Sequence, residues 1–160
     1  MSYSKGSPRI ELRGKLDSLN SQIILIQANS DDREYISDIE EIRKVIVNLQ
    51  KCEAAEKFFS EKLILWGLDE DEIHTRSHNP VKYYGKGHIL NHYEMGRKAS
   101  ELNFLRTLVR EAELCSVRAF GDDDGLKISH VLNRLSSALY ILTYKYLPKE
   151  YNRTIIFERR

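Results

Sequence analysis

Cysteine is scarce in this 160-residue chain, with only Cys52 and Cys115 present. They stand too far apart for a CxxC pair, so neither a zinc ribbon nor a disulfide framework is expected, and a reducing compartment suits the chain. An excess of one charge is also lacking. The 25 Lys and Arg residues meet 24 Asp and Glu, leaving a formal net charge of +1, which argues against a nucleic-acid partner and makes any anion site local. No apolar run approaches the roughly 18 residues needed to span a bilayer, and the opening MSYSKGSPRI has no signal-like apolar core. A soluble cytoplasmic protein with no membrane association is the expectation. Walker, GxGxxG and GxSxG motifs are missing, so a nucleotide would have to be held by discrete side chains and helix ends. At this length a single domain over 1–160 is expected, with a core large enough to need no staple.

Strand patterns, internal repeats and low-complexity tracts are absent as well, and what remains is helical periodicity. Leu12, Leu16, Leu19, Ile23 and Ile26 recur at alternating steps of four and three, predicting a helix from Pro8 to Gln27 with Pro8 in its first turn. A second helix is predicted from about Asp32 to Phe59, with Ile36, Ile39, Ile42, Ile46, Leu49 and Cys52 inward. LDEDEIHTRSH reads as a short helix, and NPVKYYGKGHILNHYEMG as a long loop of functional character. Two further helices are expected over Arg97 to Phe120 and Leu126 to Leu147, the last stopped by Pro148. The fold class that follows is all-α: an up-and-down bundle of about four to five helices, ferritin-like in architecture.

The tract FLRTLVREAEL places Arg106, Arg110 and Glu113 on one arc of roughly 60° at 100° per residue. That stripe borders the apolar one made by Leu102, Leu105, Val109 and Ala112 rather than opposing it. The same construction recurs on the last helix, where Asn133, Ser137, Tyr140 and Tyr144 flank Leu132, Leu135, Leu139 and Leu142. It recurs again on the first, with Arg13, Asp17 and Ser21. Polar stripes beside core stripes line a cleft if the helices meet there or at a subunit boundary. Spacing alone favours the plainer reading, solvated faces carrying surface pairs.

Histidine spacing offers a separate candidate. His74 and His78, like His88 and His92, stand at i, i+4, the interval for two imidazoles on one metal. No cysteine accompanies either pair, and no metal ligand set is assigned. The two Glu-x-x-His pairs of a di-iron bundle do not occur. Tyr83 and Tyr84, beside Gly85 and Gly87, could stack on a flat ligand or pack their loop onto the bundle.

Taken in order, LDSLNSQI, LRTLVREAEL and LNRLSSALYIL resemble three tracts of the ATP:cob(I)alamin adenosyltransferases, D-E-L-N, A-R-T-x-x-R-R-A-E and L-N-R-L-S-D. RSHNPVKYYGKGHILNHYEMG resembles the branch linked to ethanolamine utilisation. The resemblance implies a helical bundle, commonly a homotrimer, with ATP between subunits and cobalamin beside it. Reduced cobalt attacks the 5′ carbon of ATP, usually with a divalent cation such as Mg²⁺, to form adenosylcobalamin. Position by position, it implies that Asp17 pairs with Arg106 across a subunit boundary and that Arg110 meets the phosphates or ribose. Glu113 and Asn133 contact the nucleoside, and Lys5 stands near the place of the family's phosphate loop. Tyr83, Tyr84 and Tyr93 are the candidate cobalamin contacts.

The chain also departs from that pattern. The Gly- and Thr-rich phosphate loop T-G-D-x-G-x-T is missing, Glu111 replaces the second arginine of the R-R pair, and the cysteine cluster some ethanolamine-branch enzymes carry is absent. These departures keep a second reading open, a silent cobalamin- or nucleotide-binding scaffold that delivers adenosylcobalamin to a partner enzyme.

Overall fold

The computed structural model of the chain describes residues 6–121 and 126–157. Helix α1 spans Pro8–Ala28 and begins where Ser7 Oγ accepts the Ile10 N–H at 3.3 Å, with proline in the first turn, where no amide donor is missed. The whole expected stripe, Leu12, Leu16, Leu19, Ile23 and Ile26, is buried. Helix α2 spans Arg33–Ala55, and its cap is Asp32, whose carboxylate accepts from the Glu34 and Tyr35 amides. Lys98 and these amides hold the Asp32 carboxyl below its ordinary value.

Two details of α2 differ from the periodicity. The helix stops at Ala55 rather than near Phe59, because Glu56 adopts a left-handed conformation and the Lys57 amide turns back to the Cys52 carbonyl at 2.9 Å. Phe59 then enters the core from the following segment, its amide bonded to the Leu126 carbonyl at 3.1 Å. At the other end Tyr35 is fully buried while Ile36 is only partly so. Tyr35 packs edge-on against Tyr146 and donates its hydroxyl to Glu101 Oε1 at 3.0 Å, so a polar tip at the bundle rim lets an aromatic ring fill the core.

Helix α3, Glu70–His78, opens with a capping box between Asp69 and Glu72. The segment expected to be a loop carries more structure than its aperiodic sequence implies. Helix α4, Pro80–Tyr84, is a single turn closed by Gly85, and strand β1, His88–Ile89, follows. A 3₁₀ turn over Tyr93–Met95 leads into α5, Gly96–Phe120. Helix α6 is Ile128–Tyr146, and strand β2, Thr154–Ile155, pairs antiparallel with β1, His88 opposite Ile155. A Cβ on Gly87 would lie 2.5 Å from the Ile155 carbonyl oxygen, so only glycine lets the tail approach. This small sheet needs the tail beyond Pro148 to return, a long-range pairing with no local periodicity to announce it.

Helix α5 packs against both α1 and α6, and α2 closes the ring against α1 and α6. The ends of the helices identify their directions. Arg118 on α5 pairs with Glu11 on α1 at 2.9 Å, and Arg97 reaches the Asn29 carbonyl at 3.2 Å, so α1 and α5 are antiparallel. Lys145 near the end of α6 meets Glu34 at 2.7 Å and Asp38 at 2.8 Å near the start of α2. Neighbouring long helices are therefore antiparallel all round, and residues 56–95 form the one long crossover, joining the parallel pair α2 and α5 as in ferritin-like bundles. Leu102, Leu105, Val109 and Ala112 of α5 face Leu132, Leu135, Leu139 and Leu142 of α6 in one continuous core.

One charge lies inside. Glu53, 1% exposed, is held by Arg9 at 2.9 Å and Arg13 at 2.7 Å, joining α1 to the end of α2. Arg13, expected on an interface stripe, is thus engaged within its own chain. Glu53→Ala, which removes the buried carboxylate that Arg9 and Arg13 share, is expected to lower the unfolding free energy by about 2–4 kcal/mol. Glu111→Ala, which loses only an exposed 3.9 Å contact with Lys15, is expected to change it by less than about 0.5 kcal/mol. Urea denaturation of both variants checks the contrast.

Candidate active site

Because α5 and α6 run antiparallel, residues early on one helix face residues late on the other. Glu113 accepts from Asn133 Nδ2 at 3.0 Å, and Tyr140 lies near enough to Arg106 to bear on the arginine's charge. The polar stripe of α5 therefore runs along that of α6, both at the edge of the shared core. Spacing alone favoured a solvated face over a cleft, and the packing brings the two stripes together.

Arg106 is half-buried, and its Nε and Nη2 donate to Asn103 Oδ1 at 3.3 and 3.1 Å, an amide rather than a carboxylate. Burial, then the neighbouring Arg110, lowers its pKa. Arg110 is exposed and has no hydrogen-bond or acidic partner among the described residues. Asp17, on the exposed side of α1, likewise has none there. A guanidinium that stays charged, part-dehydrated and short of counter-charge is suited to an incoming anion, which its planar fork would bind at two points. Lys5 lies outside the described residues.

The tyrosines separate. Tyr84 is part-buried with its ring stacked on Tyr144 at 4.7 Å and 8°, and burial raises its pKa. Tyr83 lies under Arg76 and Lys82. Tyr93 is 83% exposed and leans on His92. The structure does not gather the three around one spot.

It assembles instead a chain of hydroxyls that the sequence reading missed as a unit. Tyr144 donates to the Gly87 carbonyl at 2.7 Å, so its oxygen accepts from Tyr140, 3.1 Å away. Tyr140 has then spent its proton, and it accepts from the Ile89 amide at 3.3 Å. His88 Nδ1, 2.8 Å from the same oxygen, must carry a hydrogen and donate. Phe157 covers His88 at 5.3 Å between centroids. Tyr140 and Tyr144 were visible as a stripe, whereas His88 and Phe157 depend on the tail pairing. The other histidine spacing resolves as ring packing, His74 and His78 lying 4.4 Å apart. Among the described residues no group of three or more His, Cys, Asp or Glu side chains is placed to hold a metal ion.

These features define a class: a ferritin-like bundle whose outer face, along α5 and α6, presents under-neutralised arginines beside an Asn–Glu pair and a tyrosine–histidine network. A family model described as cobalamin adenosyltransferase matches residues 1–146, and the chain belongs to that family. It is 32% identical over 145 residues to the corrinoid adenosyltransferase EutT of Salmonella typhimurium, covering 87% of this chain and 53% of the relative. It is 29% identical over 153 residues to EutT of Escherichia coli, covering 92% of this chain and 56% of that protein. The chain thus spans about half the length of the curated relatives it matches. In fold it is similar to a variant PduO-type ATP:corrinoid adenosyltransferase from Lactobacillus reuteri, complexed with cobalamin and ATP. That likeness has a TM-score of 0.69 at 20% identity and covers 96% of this chain and 90% of that one.

Two substitutions separate network from groove. Tyr144→Phe, which leaves the Gly87 carbonyl without its buried donor, is expected to cost about 1–2 kcal/mol. Asn133→Ala, on an exposed face, is expected to stay within about 0.5 kcal/mol of the parent. Thermal and urea unfolding followed by circular dichroism measure both.

Proposed function

We propose that the chain is a corrinoid adenosyltransferase of the ethanolamine-utilisation type, transferring the 5′-deoxyadenosyl group of ATP to reduced cobalamin. The observation that carries this is the apposition of Arg106, Arg110 and Glu113 with Asn133 and Tyr140 along α5 and α6. Arg110 takes the polyphosphate, Asn133 and Glu113 take the nucleoside, and Lys5 is assigned to the phosphates by its place in the sequence alone. ATP enters as its Mg²⁺ complex, the cation carried on phosphate oxygens.

In the reaction the cobalt of the reduced corrinoid uses its electron pair to form a Co–C bond at the 5′ carbon. The C–O bond breaks with its own pair, which leaves on the triphosphate. The protein contributes position and charge. Arg110 meets the negative charge that gathers on the leaving oxygen, and a site on two packed helices holds the reactants in line. The corrinoid is assigned to the segment over residues 83–93, where the open rings of Tyr83 and Tyr93 offer contact area and Tyr84 acts by supporting Tyr144. Arg106→Ala and Arg110→Ala are each expected to lower kcat/KM by about 10²–10³ with the fold retained. The absorbance change on adenosylation of chemically reduced cobalamin reads this. Activity absent from the parent with both cobalamin and cobinamide would leave the silent-scaffold reading, and corrinoid or ATP binding by calorimetry would then decide that one.

The assembly is read as a homotrimer in which Asp17 meets Arg106 across a subunit boundary. The support is that each lacks an oppositely charged partner among the described residues of one chain. Light scattering is expected to give the trimer mass. Asp17→Arg is expected to dissociate it, and Asp17→Arg combined with Arg106→Asp to restore it. A cytoplasmic setting, supported by the two free buried cysteines, and hand-over of adenosylcobalamin to a dependent enzyme complete the proposal. No helix among the described residues is long and apolar enough to cross a membrane.

A further inference from the structure

Among the described residues, one line of side chains runs from helix α3 to the Asn133–Glu113 pair. Arg134 Nη1 on α6 lies 3.1 Å from His74 Nδ1 on α3 and 3.3 Å from Asn133 Oδ1, and Asn133 Nδ2 lies 3.0 Å from Glu113 Oε2 on α5. The directions of these bonds follow from donor chemistry. An arginine has no lone pair to offer and does not lose its proton, so Arg134 donates both times. His74 Nδ1 therefore accepts, and the ring that fits this contact is neutral, with its hydrogen on Nε2. Asn133, with its oxygen taken by Arg134, is left to turn its amino group to Glu113. The amide orientation that suits a carboxylate at Glu113 is thus selected from His74, two side chains from the amide itself.

From this we infer that His74 is a positioning residue for the Asn133–Glu113 pair, acting through Arg134, and that its protonation releases the pair and weakens ATP binding. The inference rests on the proposed nucleoside role of that pair.

The charged groups around His74 come from its own helix and from α6. On its own helix the His78 ring lies tilted at 4.4 Å and Asp71 lies nearby. Across from it stands Arg134, with Glu70 Oε1 3.7 Å from Arg134 Nε and 2.5 Å from His130 Nε2. Loss of hydration, then Arg134 and His78, hold His74 below its ordinary value of 6.5, and Asp71 acts the other way. The neutral ring therefore prevails at neutral pH. As pH falls through the lowered value, the ring gains a proton on the atom that Arg134 donates to, and the contact becomes a repulsion between two cations. Arg134 Nε, buried without a hydrogen bond of its own and 3.7 Å from Glu70 Oε1, then draws the guanidinium toward that carboxylate and away from Asn133.

The test has two arms on the full chain. In the first, nuclear magnetic resonance follows the His74 ring and the Asn133 side-chain amide between about pH 5 and 8. The Asn133 amide is expected to shift with the His74 midpoint in the parent and to show no such midpoint in His74→Gln, whose oxygen still accepts from Arg134 but never charges. In Arg134→Met the His74 midpoint is expected to move up toward its ordinary value. An Asn133 amide that stays still while His74 titrates overturns the inference. In the second arm, the KM for ATP of the parent is expected to rise about tenfold for each pH unit below the midpoint. That of His74→Gln should stay level, and that of His74→Lys should be high throughout. An acid limb that persists in His74→Gln overturns the inference while leaving the proposed function intact. A parent with no turnover at any pH sinks the proposed function, and the resonance arm still decides the relay.

Discussion

Everything at the groove depends on α5 being packed between two other helices. With α1 on one side and α6 on the other, its apolar residues are consumed by the core, and the positions bordering that core are drawn into partly dehydrated surroundings. Arg106 sits in such a position. A cation there loses some of its hydration without gaining a carboxylate in return, a cost the fold must offset through the packing of Leu102, Leu105, Val109 and Ala112 next to it. Strain of this kind is unprofitable for stability alone and becomes intelligible when an anion completes the site.

The buried faces of α1, α2 and α5 were legible from spacing because each buries a single stripe, and period 3.6 is what one-sided burial imprints on a sequence; α6 departs from it where Ile141, Leu142, Thr143 and Tyr144 are all buried. The groove was legible as stripes but not as a groove. That Asn133 and Glu113 meet depends on the antiparallel register of α5 and α6, which no local pattern records. Order along the chain, supplied by the resemblance to a known family, stood in for that missing register.

The connection between α2 and α5 shows the opposite case. Its sequence has no period because its residues answer to distant partners. The Gly87 carbonyl accepts from Tyr144, the Leu90 amide binds the Arg153 carbonyl at 2.9 Å, and Lys86 donates to the Lys149 carbonyl at 3.0 Å and to that of Tyr151. Each satisfies a main-chain group, and those that involve Lys149, Tyr151 and Arg153 form only once the tail has returned across the bundle. A tyrosine tract such as YYG reads as a flat-ligand platform when these partners are unknown. Once Tyr144 is seen stacked on Tyr84, half of that platform belongs to the scaffold.

The same dependence on long-range partners bears on how the site is kept in shape. Glu113 and Asn133 come from different helices, and the structure ties the second to α3 through Arg134. An exposed hydrogen bond is worth little to stability, so such a line of polar contacts is poorly explained as scaffolding. Its effect is on orientation. An asparagine amide has two faces of opposite hydrogen-bonding sense, and only an external donor to its oxygen fixes which one a neighbour meets. Helix α3 thus bears on which way the Asn133 amide meets Glu113, while the buried stripes decide only that α5 and α6 lie together.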